Sequence, residues 1–303
     1  MNLFSLLLHA TTGRDRAEGW KHAKLSGHEN EGKIEDLVRN DTRFQGRLLS
    51  RLGFAGRKVL RVSGGGLGES HVQSVFRNGE PTTPKADMYL DLDDGGRLSF
   101  SIKKCLSGQV YLVTGENFIE AYEAHYAAIP DPVKRGIRLF WGGAADTAEI
   151  IDKFGTRKDY ENRKRRVVAD TLRAYDPRLH SEFLKWFVVN ASNVTDLCFA
   201  RGGAKNPSDW AQFVWYRNEL GETSVDSIYR ISDICKAAQD TAVRDTFFGR
   251  VNGGSTIQLP FGFVQWHSPQ KTSPEACSST TGSRASPKSF RRTSPDDGRQ
   301  RAA

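Results

Sequence analysis

Along "RLSFSIKK", Leu98, Phe100 and Ile102 alternate with Ser99, Ser101 and Lys103, the period of two that predicts a half-buried strand. "ADMYLDL" before it has the same character, and the intervening "DDGG" predicts a tight hairpin. "KVLRVSGGGLG" predicts a strand running into a glycine-rich loop. Upstream, "GHENEGKIEDLVRN" (27–40) places Ile34, Leu37 and Val38 on one stripe of a helix, with Asn30 or an earlier polar residue as its cap. "RFQGRLLSRLGF" continues helically after a break, and "GENFIEAYEAHY" predicts a helix opened near Thr114 or Gly115.

From about 146 to 190 the pattern is mostly helical, through "TAEIIDKF", "DYENRKRRVVADTLRAY" and "RLHSEFLKWFVVN". "VTDLCFARGG" is expected as a strand ending in a glycine turn, and "SDWAQFVWYRN" as a strand or a helix. "STIQLPFGFVQW" is expected as one strand interrupted at Pro260. The order is helix, three strands, helix, strand, with a helical insertion, which makes a mixed α/β domain over 1–268. From 269 to 303 the chain turns to Ser, Thr, Pro, Gly and Arg, too few apolar groups to fold, so this end is expected to be a disordered basic tail.

Composition narrows the classes. With 303 residues, 38% hydrophobic and 26% charged, the chain can build a core without staples. The net charge of +8 favours a polyanionic partner, although seven Lys/Arg against three Asp/Glu within 271–303 put half of that excess on the tail. The four cysteines (Cys105, Cys198, Cys235, Cys277) form no CxxC pair, which points away from zinc and disulfides and toward a cytoplasmic protein. "MNLFSLLLHA" is too short to span a bilayer and is expected to pack in the core; no membrane partner is expected.

The hairpin carries the chemistry. Turning at Asp94–Gly95, it sets residues near 87 opposite residues near 102, so Asp87 and Lys103 meet at one end of the sheet. A carboxylate able to hold a hard divalent cation, with a lysine beside it to orient water, suits phosphodiester hydrolysis. A surface ion pair at a strand end is the plainer alternative.

"PKAD" followed by "SFSIKK" resembles the PD-(D/E)XK nuclease superfamily, with Asp87 and Lys103 in the motif and Ser101 where an acid is usual. "GHENEGKIEDLV" looks like the upstream helix of small type II restriction endonucleases that cut short GC-rich sites, where an "NE" sets a glutamate near the metal; Glu31 matches it. "VTDLCFARGGAKNPSDWAQFVWYRN" and "GGSTIQLPFGFVQWHSP" resemble later blocks of the same enzymes. The resemblance implies an αβββαβ nuclease core with a mixed central sheet. It also implies Mg²⁺-dependent, site-specific cleavage of double-stranded DNA and a DNA methyltransferase in the same restriction-modification system. Asp87, Glu31 and the carbonyl of Ile102 would hold Mg²⁺. Lys103 would position the attacking water, and Ser101 would touch a metal-bound water. Glu35 is the rival carboxylate to Glu31, whose bland reading is a first-turn acid facing the helix dipole.

For DNA contact the candidates are Gln109 in the loop after the lysine strand, Arg201 and Lys205 around "GGAKN", and Gln265 near the end of the folded part. The basic run "ENRKRRVV" is expected as a solvated helix face. A homodimer is an open possibility. A nicking or repair endonuclease, or a DNA-binding protein that no longer cuts, remains as an alternative, the latter because of Ser101. "SGGGLGES" lacks both the GK[ST] ending and the GxGxxG spacing of nucleotide loops and is expected as a mobile loop. The abrupt change at the C-terminus suggests a frameshifted or degenerate end.

Overall fold

The computed structural model describes residues 16–65, 71–104, 113–155, 166–221, 226–249 and 255–266, the first eleven as backbone only. Two helices open the fold, α1 (Arg16–Asn40) and α2 (Thr42–Arg51), broken where the Asp41 side chain caps α2 by accepting from the Phe44 amide at 2.9 Å. Strands β1 (Val59–Gly64), β2 (Met88–Leu92) and β3 (Arg97–Lys103) follow. Helices α3 (Gly115–His125), α4 (Asp131–Trp141), α5 (Thr147–Phe154), α6 (Ala169–Tyr175), α7 (Pro177–Val189) and α8 (Ala191–Asp196) come next. The described part closes with β4 (Phe213–Arg217), β5 (Asp226–Arg230), α9 (Ile231–Asp245), β6 (Phe247–Phe248), β7 (Ile257–Leu259) and β8 (Gly262–Val264).

Strands β1 to β5 lie in sequence order in one mixed sheet. β3 and β4 run parallel and the other pairs antiparallel. Parallel neighbours need a long crossover, which α3 to α8 supply. The expected β2–β3 hairpin is present, with Tyr89 opposite Ser99 and Gly95 at φ 81° in the turn, a conformation glycine adopts without cost.

Both faces of the sheet are covered. Ile34 and Val38 of α1 and Leu48 and Leu49 of α2 pack on Met88, Leu90, Phe100 and Ile102. On the other face, Phe199, Ile231 and Ile234 cover Tyr89, Val214 and Tyr216. Each such aliphatic side chain, once fully buried, contributes about 1.5–3 kcal/mol. β3 is therefore buried on both sides, and its polar positions do not face water as alternation alone suggests. Ser99 is buried, and its hydroxyl accepts from the Gln212 amide at 3.1 Å. A further cluster joins α3, α4 and α7 to Trp266 and the small sheet β6–β7–β8.

Other expectations are corrected. "VTDLCFA" is not a strand: α8 runs into a π-helical turn, Leu197–Arg201. That apolar run is too short for periodicity to separate helix from strand. "STIQLPFGFV" is a hairpin of two strands turning at Pro260–Phe261. Of "DYENRKRRVVADTLRAY", the described part is helical only from Ala169, and Val167 and Val168 are buried ahead of it. Asn30 does not cap a helix, because α1 begins at Arg16. Helix α9 carried no sequence expectation. The first ten residues, residues 66–70 of the glycine-rich loop and the tail lie outside the described residues.

Candidate active site

Asp87 sits just before β2, where its amide donates to the Phe100 carbonyl at 2.7 Å and its carbonyl accepts from Gly65 at 2.9 Å. Its carboxylate is a hub. Oδ2 accepts from the Ile102 amide at 2.6 Å, from the Ser101 hydroxyl at 3.3 Å and from Lys103 Nζ at 3.2 Å. Lys103 Nζ also donates to the Ile102 carbonyl at 2.7 Å. The side chains of Asp87 and Lys103 are only 11% and 16% exposed, so this is no surface ion pair. Pairing of this kind, with backbone and side-chain donors on one oxygen, is what a nearly buried carboxylate requires.

Glu31 joins the group from α1. It lies well inside that helix, so the first-turn reading does not apply. Burial, and then the Asp87 carboxylate, push its carboxyl up to about 8 against the pull of Lys103. A like charge within electrostatic reach raises a carboxyl's proton affinity unless a cation lies between the two. Glu35 turns elsewhere and pairs with Arg39.

Lys85, in "PKAD", lies within electrostatic reach of Asp87 and Lys103 and is not singled out by the sequence. Burial, followed by the Lys103 ammonium, lowers its amine to about 7, with Asp87 opposing. Its backbone amide and that of Ala86 both donate to the Asp209 carbonyl, at 2.9 and 3.2 Å. The only local signal was its place two residues before the aspartate.

The structure thus brings Glu31, Asp87, Ser101, Ile102 and Lys103 together. Ser101 is 0% exposed and its hydroxyl is engaged with Asp87. The DNA-contact candidates lie on other elements. The Arg201 guanidinium stacks between Trp210 and Tyr126, 4.3 and 4.9 Å from their rings, and Nε donates to Asp196 at 2.5 Å. Lys205 is exposed, and its backbone amide donates to the Gln73 carbonyl. Gln265 is exposed just after β8. Gln109 lies outside the described residues.

The oxygen donors suit a hard divalent cation: a carboxylate, a second carboxyl with raised proton affinity, and a main-chain carbonyl. Among the described residues no group of three His, Cys, Asp or Glu gathers round one point. A cation here would keep several waters, as Mg²⁺ usually does. None of the described helices is long and apolar enough to cross a membrane.

No protein-family model and no curated protein matches the chain. Among solved structures the chain is similar to the restriction endonuclease MspI in complex with its cognate DNA. The TM-score is 0.46 at 10% sequence identity, over 81% of this chain and 93% of that one.

Proposed function

We propose that the chain is a Mg²⁺-dependent, site-specific endonuclease acting on double-stranded DNA, of the PD-(D/E)XK type II restriction class. The observation that supports this best is the convergence of Asp87, Glu31, the Ile102 carbonyl and the Lys103 amine at the end of a buried hairpin. Asp87, Glu31 and the Ile102 carbonyl would hold Mg²⁺. When bound, that ion would supply Lewis-acid polarisation of the phosphate and a lowered pKa for its water. Lys103, steadied by two acceptors, would hydrogen-bond and orient the attacking water or a phosphate oxygen. Ser101 would hold the Asp87 carboxylate in place and so act through it.

The DNA would be met by Lys205, Gln265, Gln109 and the outer edge of the Arg201 guanidinium. Discrete DNA fragments formed with Mg²⁺ and absent with EDTA would support the reading, and mapping their ends would define the site. Random nicking instead would favour a repair-type enzyme.

A second reading is a DNA-binding protein of the same build that does not cut. Ser101 favours it, because a buried hydroxyl supplies no charge where a second motif carboxylate is usual. Salt-sensitive binding to duplex DNA without cleavage at any Mg²⁺ concentration would establish that alternative.

A further inference from the structure

Asn30 occupies a core position on α1. It stands one and two turns before Ile34 and Val38, and all three are essentially unexposed, Asn30 at 1%. Asparagine is a poor helix-interior residue, and a buried amide is tolerated only when its groups are bonded. Here both are bonded far away in the chain. Nδ2 donates to the Arg217 carbonyl at 2.8 Å, and Oδ1 accepts from the Glu219 amide at 2.6 Å. Those two backbone groups follow Tyr216, the β4 residue paired with Lys103.

The anchor is itself fixed. The Arg217 guanidinium bonds Asp226 at 2.6 Å, pairs with Glu219 and lies over the Phe44 ring at 5.1 Å. Asp226 also accepts from Trp215 Nε1 at 2.8 Å. Sliding or turning α1 would break both Asn30 bonds at once.

We propose that Asn30 is a positioning residue for Glu31. It sets the register of α1 on the end of β4, so that the adjacent carboxyl stays within electrostatic reach of Asp87 and Lys103. This rests on the cation-holding role given above to Glu31. Groups that orient a ligand of a metal commonly change affinity about 10–100-fold when removed.

The test is Mn²⁺ affinity of the full chain, read by electron paramagnetic resonance, with folding followed by thermal melts. Asn30→Ala is expected to weaken Mn²⁺ binding about tenfold or more. Once Glu31→Gln is present, adding Asn30→Ala should change little, because the two act through one carboxyl. Ile34→Val on the same helix should lower the melting temperature and leave the affinity alone. If Asn30→Ala fails to fold, Asn30→Leu preserves side-chain size and removes both contacts without adding a charge, and it should also weaken binding. Folded Asn30 variants that bind like the parent, or losses at Asn30 and Glu31 that simply add, would overturn the inference while leaving the cation site standing. A parent chain that binds no Mn²⁺ would overturn the cation reading and this inference together.

Discussion

Lys103 Nζ lies 3.2 Å from Asp87 Oδ2 and 2.7 Å from the carbonyl of the residue before it, so one ammonium touches both a carboxylate and a main-chain oxygen of the same hairpin end. The Asp87 oxygen is shared with the Ile102 amide at 2.6 Å. The pair therefore belongs to the folding of the hairpin as well as to its chemistry.

Asp87→Ala leaves the Ile102 amide and the Lys103 amine without their carboxylate in a nearly buried place. Such orphaned donors cost about 1–3 kcal/mol each. Urea denaturation should show a loss of about 2 kcal/mol or more, while Asp87→Asn, which keeps an acceptor for the amide, should lose less. Equal stability of Asp87→Ala and the parent would refute the hub.

Glu31 predicts a pH trend in the absence of divalent cations. Its folded carboxyl is raised from 4.5 to about 8, so between those values the folded state binds more protons than the unfolded one. Stability then falls as pH rises through that window. Glu31→Gln removes the penalty. Its melting temperature in EDTA should match the parent near pH 4 and exceed it by a few degrees at pH 8, and Mg²⁺ should shrink the gap.

Lys85 predicts the opposite trend. Its amine is lowered from 10.5 to about 7, so charging it costs the folded state fully below pH 7. The cost fades as pH climbs toward 10.5, where the unfolded amine is neutral too. The melting-temperature gain of Lys85→Met should be largest near pH 6 and decline by pH 10. A gain independent of pH would show that the folded amine is not lowered, by burial or by Lys103.

Gly65 closes β1 against the aspartate. A Cβ there would overlap the Ala86 carbonyl oxygen and meet the Tyr89 ring at 2.8 Å. Forced packing of this kind costs about 1–3 kcal/mol. Gly65→Ala should lose that much in urea denaturation and displace Asp87, whose carbonyl the Gly65 amide bonds. Unchanged stability would mean that the strands separate there without penalty.

What the sequence discloses follows the range of the contacts. The β2–β3 hairpin and the meeting of Asp87 with Lys103 are local, sixteen residues apart, and alternation with a "DDGG" turn suffices to find them. Glu31 was named by its resemblance to other endonucleases, because nothing near it in sequence reports the sheet it faces. Asn30 reads as a cap, since its true partners lie 187 and 189 residues on. Ser99 and Ser101 read as a wet face, because the helix α9 and the π-helical turn that cover them come from distant, weakly periodic segments.

The most direct measurement is cleavage of plasmid DNA by the purified chain with Mg²⁺ and with EDTA, beside Lys103→Ala. The account predicts discrete fragments with Mg²⁺, none with EDTA and none from Lys103→Ala at matched folding. Undiminished cleavage by Lys103→Ala, or intact DNA with the parent chain at every Mg²⁺ concentration, would contradict it.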